Sequence, residues 1–204
     1  LESVKNKTKK FIFISSQAVY GSPNSKKIDE KFKLQPNFSS YSLSKINCEK
    51  WLEYYQSKYK GMYMSLRFTG FIGGGGNIDY IINSAKNNKN IILYSNGKVC
   101  RDYISFKYGN EIILKILTKK ITNKYFCFNV SSGNVIKSYD IAKIVCDELN
   151  SKSKIKLSNK EASIRNCVLI NKKLKNFIKI KKFNLKKEII NEIRKNILLW
   201  KKLI

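Results

Sequence analysis

The sequence predicts an α/β fold built around a parallel sheet, and three observations carry that expectation. Short, continuous apolar runs such as Phe11-Ile12-Phe13-Ile14 alternate along the chain with segments of helical periodicity. The runs lack the in-and-out alternation of a strand with one wet face, so they read as strands buried on both sides. The apolar share of 43% over 204 residues suffices for a core of one domain, or one and a half.

Leu1 to Lys10 reads as the last turns of a helix leading into the first strand, Phe11 to Ser15. Gly21 to Pro36 is rich in turn residues and reads as a polar loop. A helix is expected from Tyr41 to about Tyr59, with Ser39 and Ser40 available as caps. Tyr63 to Arg67 is a second buried strand, and Asn77 to Asn87 a helix. Ile91 to Tyr94 follows as a strand, then an Asn96-Gly97 turn. Lys107 to Lys119 is helical, with Ile112, Ile113, Ile116 and Leu117 on one face. Tyr125 to Val130 is a third sheet strand, and Ser138 caps a helix that runs through Leu149. Ile155 to Leu157 and the segments after it read as a small peripheral α/β lobe. Glu188 to Leu203 closes the chain as a helix carrying Trp200.

Composition removes several function classes. No stretch of 18 apolar residues occurs, so no membrane partner is expected. Histidine is absent, which excludes Ser-His-Asp hydrolysis, Cys-His proteolysis and the usual zinc sites. The five cysteines show no paired spacing and read as reduced thiols of a cytoplasmic protein. The formal charge of +27 invites a nucleic-acid reading. Only four of the 41 basic residues are arginines, however, and base reading and phosphate clamping favour the arginine fork. Lysine comes with abundant Asn and Ile, all encoded by AT-rich codons, so genome composition accounts for the excess. No specific nucleic-acid partner is expected, only salt-sensitive sticking to polyanions.

Ser16 ends the first apolar run. Tyr41 follows 25 residues later, and Lys45 stands four beyond it. Positions four apart share a helix face. A phenol is a poor base at neutral pH, and an ammonium group held beside one favours its ionised form. A hydroxyl from a strand end can bond the same substrate oxygen. Such a set can move a proton on or off an alcohol while a hydride leaves its carbon. A Tyr/Lys pair at this spacing is also an ordinary surface pair in a lysine-rich chain, so the surrounding motifs decide.

Those motifs are Ser15-Ser16-Gln17-Ala18-Val19-Tyr20-Gly21, Tyr41-Ser42-Leu43-Ser44-Lys45, Leu66-Arg67-Phe68-Thr69-Gly70-Phe71-Ile72-Gly73, Gly97-Lys98-Val99-Cys100-Arg101-Asp102-Tyr103-Ile104 and Phe128-Asn129-Val130-Ser131-Ser132-Gly133. In this order and spacing they resemble the extended short-chain dehydrogenase/reductase family. Within it they resemble the NAD-dependent nucleotide-sugar epimerase/dehydratase group, from about Leu1 to the C-terminus. The resemblance implies the C-terminal part of a Rossmann-like, doubly wound parallel sheet with a small α/β substrate lobe. Residues 1–150 would be the C-terminal part of the NAD(P)-binding domain, with a lobe insertion near 70–105. Residues 151–204 would supply the rest of the lobe and the closing helix. The implied cofactor is NAD or NADP, the substrate a nucleotide sugar, and the intact assembly a homodimer packed through the Tyr41–Tyr59 helix.

The resemblance also implies roles. Ser16, four residues before Tyr20, would bond the reacting sugar hydroxyl, rather than Ser15. Tyr41 would be the general base and acid. Lys45 would hold the nicotinamide ribose and support the phenolate, with Tyr41 and Phe68 also against the cofactor. Gly70 and Arg101 would face the substrate, Arg101 on the diphosphate, and Asn129 would be structural. Family members begin with a Gly-x-x-Gly-x-x-Gly turn that holds the cofactor pyrophosphate. No such turn stands ahead of Phe11. The chain therefore reads as the C-terminal two-thirds of such an enzyme, inactive alone, with the pyrophosphate- and adenosine-binding part absent from it.

Departures from the pattern narrow the chemistry. Gln17 and Ala18 stand where the sugar dehydratases carry Asp-Glu, so acid/base elimination has no carboxylates. A 4-epimerase or a 4-keto-sugar reductase remains. Gly70 replaces the usual substrate-binding Asn, and Tyr108 an acid. Both fit an alternative reading as a non-catalytic basic remnant that binds a partner or polyanion. Gly73-Gly74-Gly75-Gly76 imitates a dinucleotide fingerprint, but the third glycine would fall at Ile78. A flexible loop near the nucleotide-sugar phosphates is expected there.

Overall fold

The computed structural model describes residues 8–120, 124–163 and 165–201, with no description of side chains 196–201. Along the chain, β1 (Lys10–Ser16) is followed by β2 (Ser25–Ile28), α1 (Ser40–Lys58), β3 (Met62–Phe68), β4 (Gly70–Phe71) and α2 (Asn77–Lys86). Next come β5 (Ile91–Leu93), β6 (Cys100–Arg101), β7 (Tyr103–Ile104), α3 (Phe106–Leu117), β8 (Tyr125–Val130) and β9 (Ile136–Lys137). The chain closes with α4 (Ser138–Leu149), β10 (Ile155–Leu157), β11 (Cys167–Leu169), α5 (Lys172–Phe177) and α6 (Leu185–Lys201). The expected helix over Leu1–Lys10 falls largely outside the described residues, as does the side chain of Trp200.

β1, β3 and β8 form a parallel sheet with β3 in the middle. Every residue of β3 is buried, Ser65 and Arg67 included, as befits a central strand covered on both faces. The register sets Ser15, Arg67 and Asn129 in one row across the sheet and Ser16, Phe68 and Val130 in the next. α1 packs beside this sheet. Ser39 starts it by accepting from the Ser42 amide, the capping arrangement that satisfies an orphan N–H. Its buried stripe is Ile46, Glu49, Leu52 and Tyr55, spaced at helical periodicity. Leu52 and Tyr55 meet Tyr63, with Phe11 and Phe13 packed alongside. Burying Leu52 contributes about 2 kcal/mol. The main core joins β3 and β8 to α2, α3, α4 and α6, through Leu66, Ile81, Ile112, Ile141 and Ile189 among others.

The remaining strands bring distant segments together. β5 pairs with β10, and β11 with both β2 and β6, all in parallel; β9 joins β6 antiparallel. Residues near 70–105 and 151–180 thus share strands. The segment Gly21 to Pro36, expected as loop, contains β2. Ser-Lys-Lys-Ile carries no strand pattern of its own, and β11 supplies its partner. Ser138 was expected to cap α4 and does not. The cap position is Lys137, without a side-chain bond, and the Ser138 hydroxyl donates to the Val99 carbonyl instead. No helix among the described residues is long and apolar enough to cross a membrane.

Candidate active site

Ser16 ends β1, and its oxygen accepts from the Ala18 amide at 3.1 Å, which opens the short turn Gln17–Tyr20. Tyr41 is the second residue of α1 and stays 53% exposed, an unusual place for a large ring and a suitable one for a ligand contact. The Lys45 ammonium donates to the Ile14 carbonyl at 2.8 Å, so the helix side chain grips the strand end. It lies 4.8 Å from the Phe13 ring centre and 5.4 Å from that of Tyr41. An ammonium has three donors, so two remain for a ligand. Ser15 is spent elsewhere: it is buried, and its hydroxyl donates to Glu49 at 2.6 Å.

Thr69 links the neighbourhoods of the other expected residues. Its hydroxyl lies 2.8 Å from the Asp102 carbonyl and 3.2 Å from Gln17 Oε1. The neighbours of Ser16, Gly70 and Arg101 therefore converge on one buried side chain, which sequence reasoning missed because a lone threonine between two strands carries no chemical signature. Gly70 pairs with Tyr103 across β4 and β7. A Cβ at Gly70 would stand 3.0 Å from two carbons of the Tyr103 ring, so the glycine belongs to the packing of that ring. The Phe68 ring is buried and stacks on Phe71 at 5.3 Å, so any cofactor contact there falls to its main chain.

Arg101 lines a cavity of about 350 Å³ with Asn77, Tyr80, Tyr94, Val99 and Ser138. Its guanidinium donates to the Arg165 carbonyl, and burial pulls its pKa down. Aromatic walls beside a half-buried cation suit a flat ring joined to an anion, and the volume suits a small-molecule site. Asp102 makes no pair with this arginine. It is buried and accepts from the Ser132 hydroxyl, the Ser132 amide at 3.3 Å and the Gly133 amide at 2.8 Å. Burial nonetheless raises its pKa to about 6. Tyr108 is buried against Phe183 at 4.7 Å between ring centres, and burial pushes its phenol up to about 12. The tetraglycine loop, expected near the nucleotide-sugar phosphates, leads into α2, whose first turn carries Asp79. Burial raises the Asp79 pKa, the Gly73 and Gly75 amides beside it act the other way, and its Oδ2 is buried without a hydrogen-bond partner among the described residues. No cluster of three potential metal ligands occurs among the described residues.

The model of the NAD dependent epimerase/dehydratase family matches residues 1–130. The chain belongs to the NAD-dependent epimerase/dehydratase family. Its mixed α/β architecture with parallel sheets is the Rossmann-like arrangement of solved relatives. UDP-glucose 4-epimerase from Thermotoga maritima, solved with UDP-glucose, superposes with a TM-score of 0.80 at 20% identity, covering 96% of this chain and 67% of that one. UDP-N-acetylglucosamine 4-epimerase from Methanobrevibacter ruminantium M1, in complex with UDP-N-acetylmuramic acid, gives 0.81 at 23% identity, covering 95% and 64%. dTDP-glucose 4,6-dehydratase from Bacillus anthracis, in complex with NAD, gives 0.75 at 21%, covering 96% and 65%. The chain thus spans about two-thirds of the length of these structures, and at such identities the likeness is one of fold. No match was found among curated proteins.

Proposed function

We propose that this chain carries the catalytic and substrate-binding parts of an NAD-dependent nucleotide-sugar 4-epimerase. The observation that carries the reading is the placement of Ser16, Tyr41 and Lys45 around the end of β1, with Lys45 bonded to the strand and Ser15 turned away into the core. NAD, when bound, would supply the hydride acceptor and donor at the sugar carbon. Tyr41 takes the hydroxyl proton as phenolate and returns it as phenol, and the Ser16 hydroxyl holds the same oxygen. The two unspent donors of Lys45 fit the hydroxyls of the nicotinamide ribose. The cavity at Arg101 takes the nucleotide diphosphate. Gln17 and Ala18 place no carboxylate beside Ser16, so water elimination lacks its acid and base.

The Gly73–Gly76 run lacks the Gly-x-x-Gly-x-x-Gly spacing whose amides make the cofactor-pyrophosphate contacts. Those contacts belong, in this reading, to a nucleotide-binding half ahead of Phe11. Among the described residues β1 pairs with β3 alone and leaves its other edge open, with Ile14 44% exposed. An apolar parallel strand with an open edge is a pairing site, and the nucleotide-binding half docks there. Leu43, Trp51 and Tyr54, exposed along the outer face of α1, form the surface for a second subunit. Five free thiols suit a reducing, cytoplasmic setting.

Calorimetric titration tests the substrate half directly. UDP-glucose should bind the chain, Arg101→Ala should weaken it at least tenfold, and NAD should bind too weakly to saturate at millimolar concentration. In the enzyme completed by a nucleotide-binding half, Tyr41→Phe should lower turnover by roughly 10²–10⁴ with sugar-nucleotide affinity unchanged. Wild-type turnover in that variant would refute the assignment.

A further inference from the structure

α1 grips the end of β1 at successive turns. Lys45 donates to the Ile14 carbonyl at 2.8 Å, and one turn later Glu49 accepts from the Ser15 hydroxyl at 2.6 Å. Glu49 is 2% exposed, a place where an unpaired carboxylate does not survive. Its partner is Arg67 of β3, itself 5% exposed. The fork is bidentate, with Nε at 3.0 and 3.2 Å from the two carboxylate oxygens and Nη2 at 2.6 Å from Oε2. The remaining face of the guanidinium is also fixed. Nη1 donates to the Tyr20 hydroxyl at 2.9 Å and the Glu30 carbonyl at 3.2 Å, and Tyr20 donates to Asn129 at 2.7 Å. Tyr20 closes the short turn that begins at Ser16. The network therefore holds the helix that bears Tyr41 and Lys45, the strand that bears Ser16, and the other two strands of the sheet, β3 and β8.

A buried ion pair is a poor source of stability, since desolvation offsets most of its attraction and an apolar pair often does as well. What a bidentate fork supplies is geometry. A helix rises 1.5 Å per residue, so a slide of less than one residue carries the phenol about 1 Å, enough to lower a rate about 100-fold. Apolar stripes tolerate such slides, and a fork closed on both sides does not. We propose that Glu49, through Arg67 and Ser15, is a positioning residue that fixes the axial register of α1 against β1 and so sets Tyr41 and Lys45 over Ser16. This rests on the reading of those three residues as the catalytic set.

The test separates register from stability. Glu49→Gln leaves Arg67 buried without its counter-ion and can simply unfold, so the informative variant is the double replacement Glu49→Leu with Arg67→Met. The Lys45 ammonium lies over the Phe13 ring at 4.8 Å, so a nuclear Overhauser contact between the Lys45 methylenes and that ring reports helix-to-strand register in the chain itself. The double variant is expected to unfold cooperatively in urea at a midpoint close to that of the parent while losing this contact. Arg67→Lys, which keeps the charge but not the fork, should weaken the contact by about half. A folded double variant with the contact at full strength would overturn the proposal. So would a double variant with no cooperative transition, which would assign the pair to stability. In the completed enzyme the double variant should lose at least tenfold in kcat with KM for the sugar nucleotide within twofold. Loss of the contact without loss of kcat, together with an active Tyr41→Phe, would uphold the register role and sink the catalytic reading instead.

Discussion

Restoring the asparagine that the family pattern calls for at position 70 should damage the fold. Gly70 lies on β4 opposite Tyr103 of β7, with its φ outside the left-handed region, so backbone strain does not enter. The cost is steric. A Cβ would stand 3.0 Å from Cδ1 and Cε1 of Tyr103, whereas carbons prefer about 3.5–4.0 Å. The ring cannot swing aside freely, because Tyr103 is 6% exposed. Overpacking of this kind costs about 1–3 kcal/mol. Replacing a glycine also removes freedom from the unfolded chain, which offsets about 0.4–1 kcal/mol. Gly70→Asn should therefore destabilise by about 1–2 kcal/mol, lowering Tm by roughly 2–8 °C for a chain of this size. Urea unfolding of Gly70→Asn, Tyr103→Leu and the pair closes a double-mutant cycle, and the penalty at position 70 should vanish once the ring is gone. An unchanged penalty in the Tyr103→Leu background, or a Gly70→Asn variant as stable as the parent, would refute the argument.

Asp102 should make stability fall as pH rises. Its carboxyl titrates near 6 in the folded chain against 3.8 ordinarily, so between those values the unfolded chain releases the proton first. Urea midpoints of the parent relative to Asp102→Asn should decline from about pH 4 to about pH 6 and then level, and parallel curves would contradict this. Lys45→Ala should lower turnover of the completed enzyme and weaken cofactor binding together, whereas Ser16→Ala should cost less than Tyr41→Phe because it removes a hydrogen bond and not the base; steady-state kinetics across the three variants checks the order. Heparin or RNA binding should be sequence-independent and vanish at about 0.5 M salt, since lysines act as point charges there; a preferred sequence surviving that salt would contradict it.

Much of this protein was legible from residue order alone. The apolar runs at Phe11, Tyr63 and Tyr125 needed no partner to declare buried strands, and the helix from Tyr41 announced its start with Ser39. The family followed from the Ser16, Tyr41 and Lys45 spacing and its flanking motifs, because side chains four apart on a helix meet wherever that helix packs. Tertiary structure alone decided the rest. Ser-Lys-Lys-Ile became a strand only because Cys167–Leu169 lay beside it, and strand pairing over such separations leaves no local trace. Glu49 reads as an ordinary surface charge on a helix, and Arg67 as a polar break in a strand; only their packing, 18 positions apart in the chain, makes them one buried pair. Gly70 looked like a lost substrate contact until the Tyr103 ring was found filling the space. Local periodicity fixes what a segment can form, because backbone geometry repeats over a few residues. Which polar groups end up facing one another is settled by packing at long range, where each buried donor and charge must find its partner.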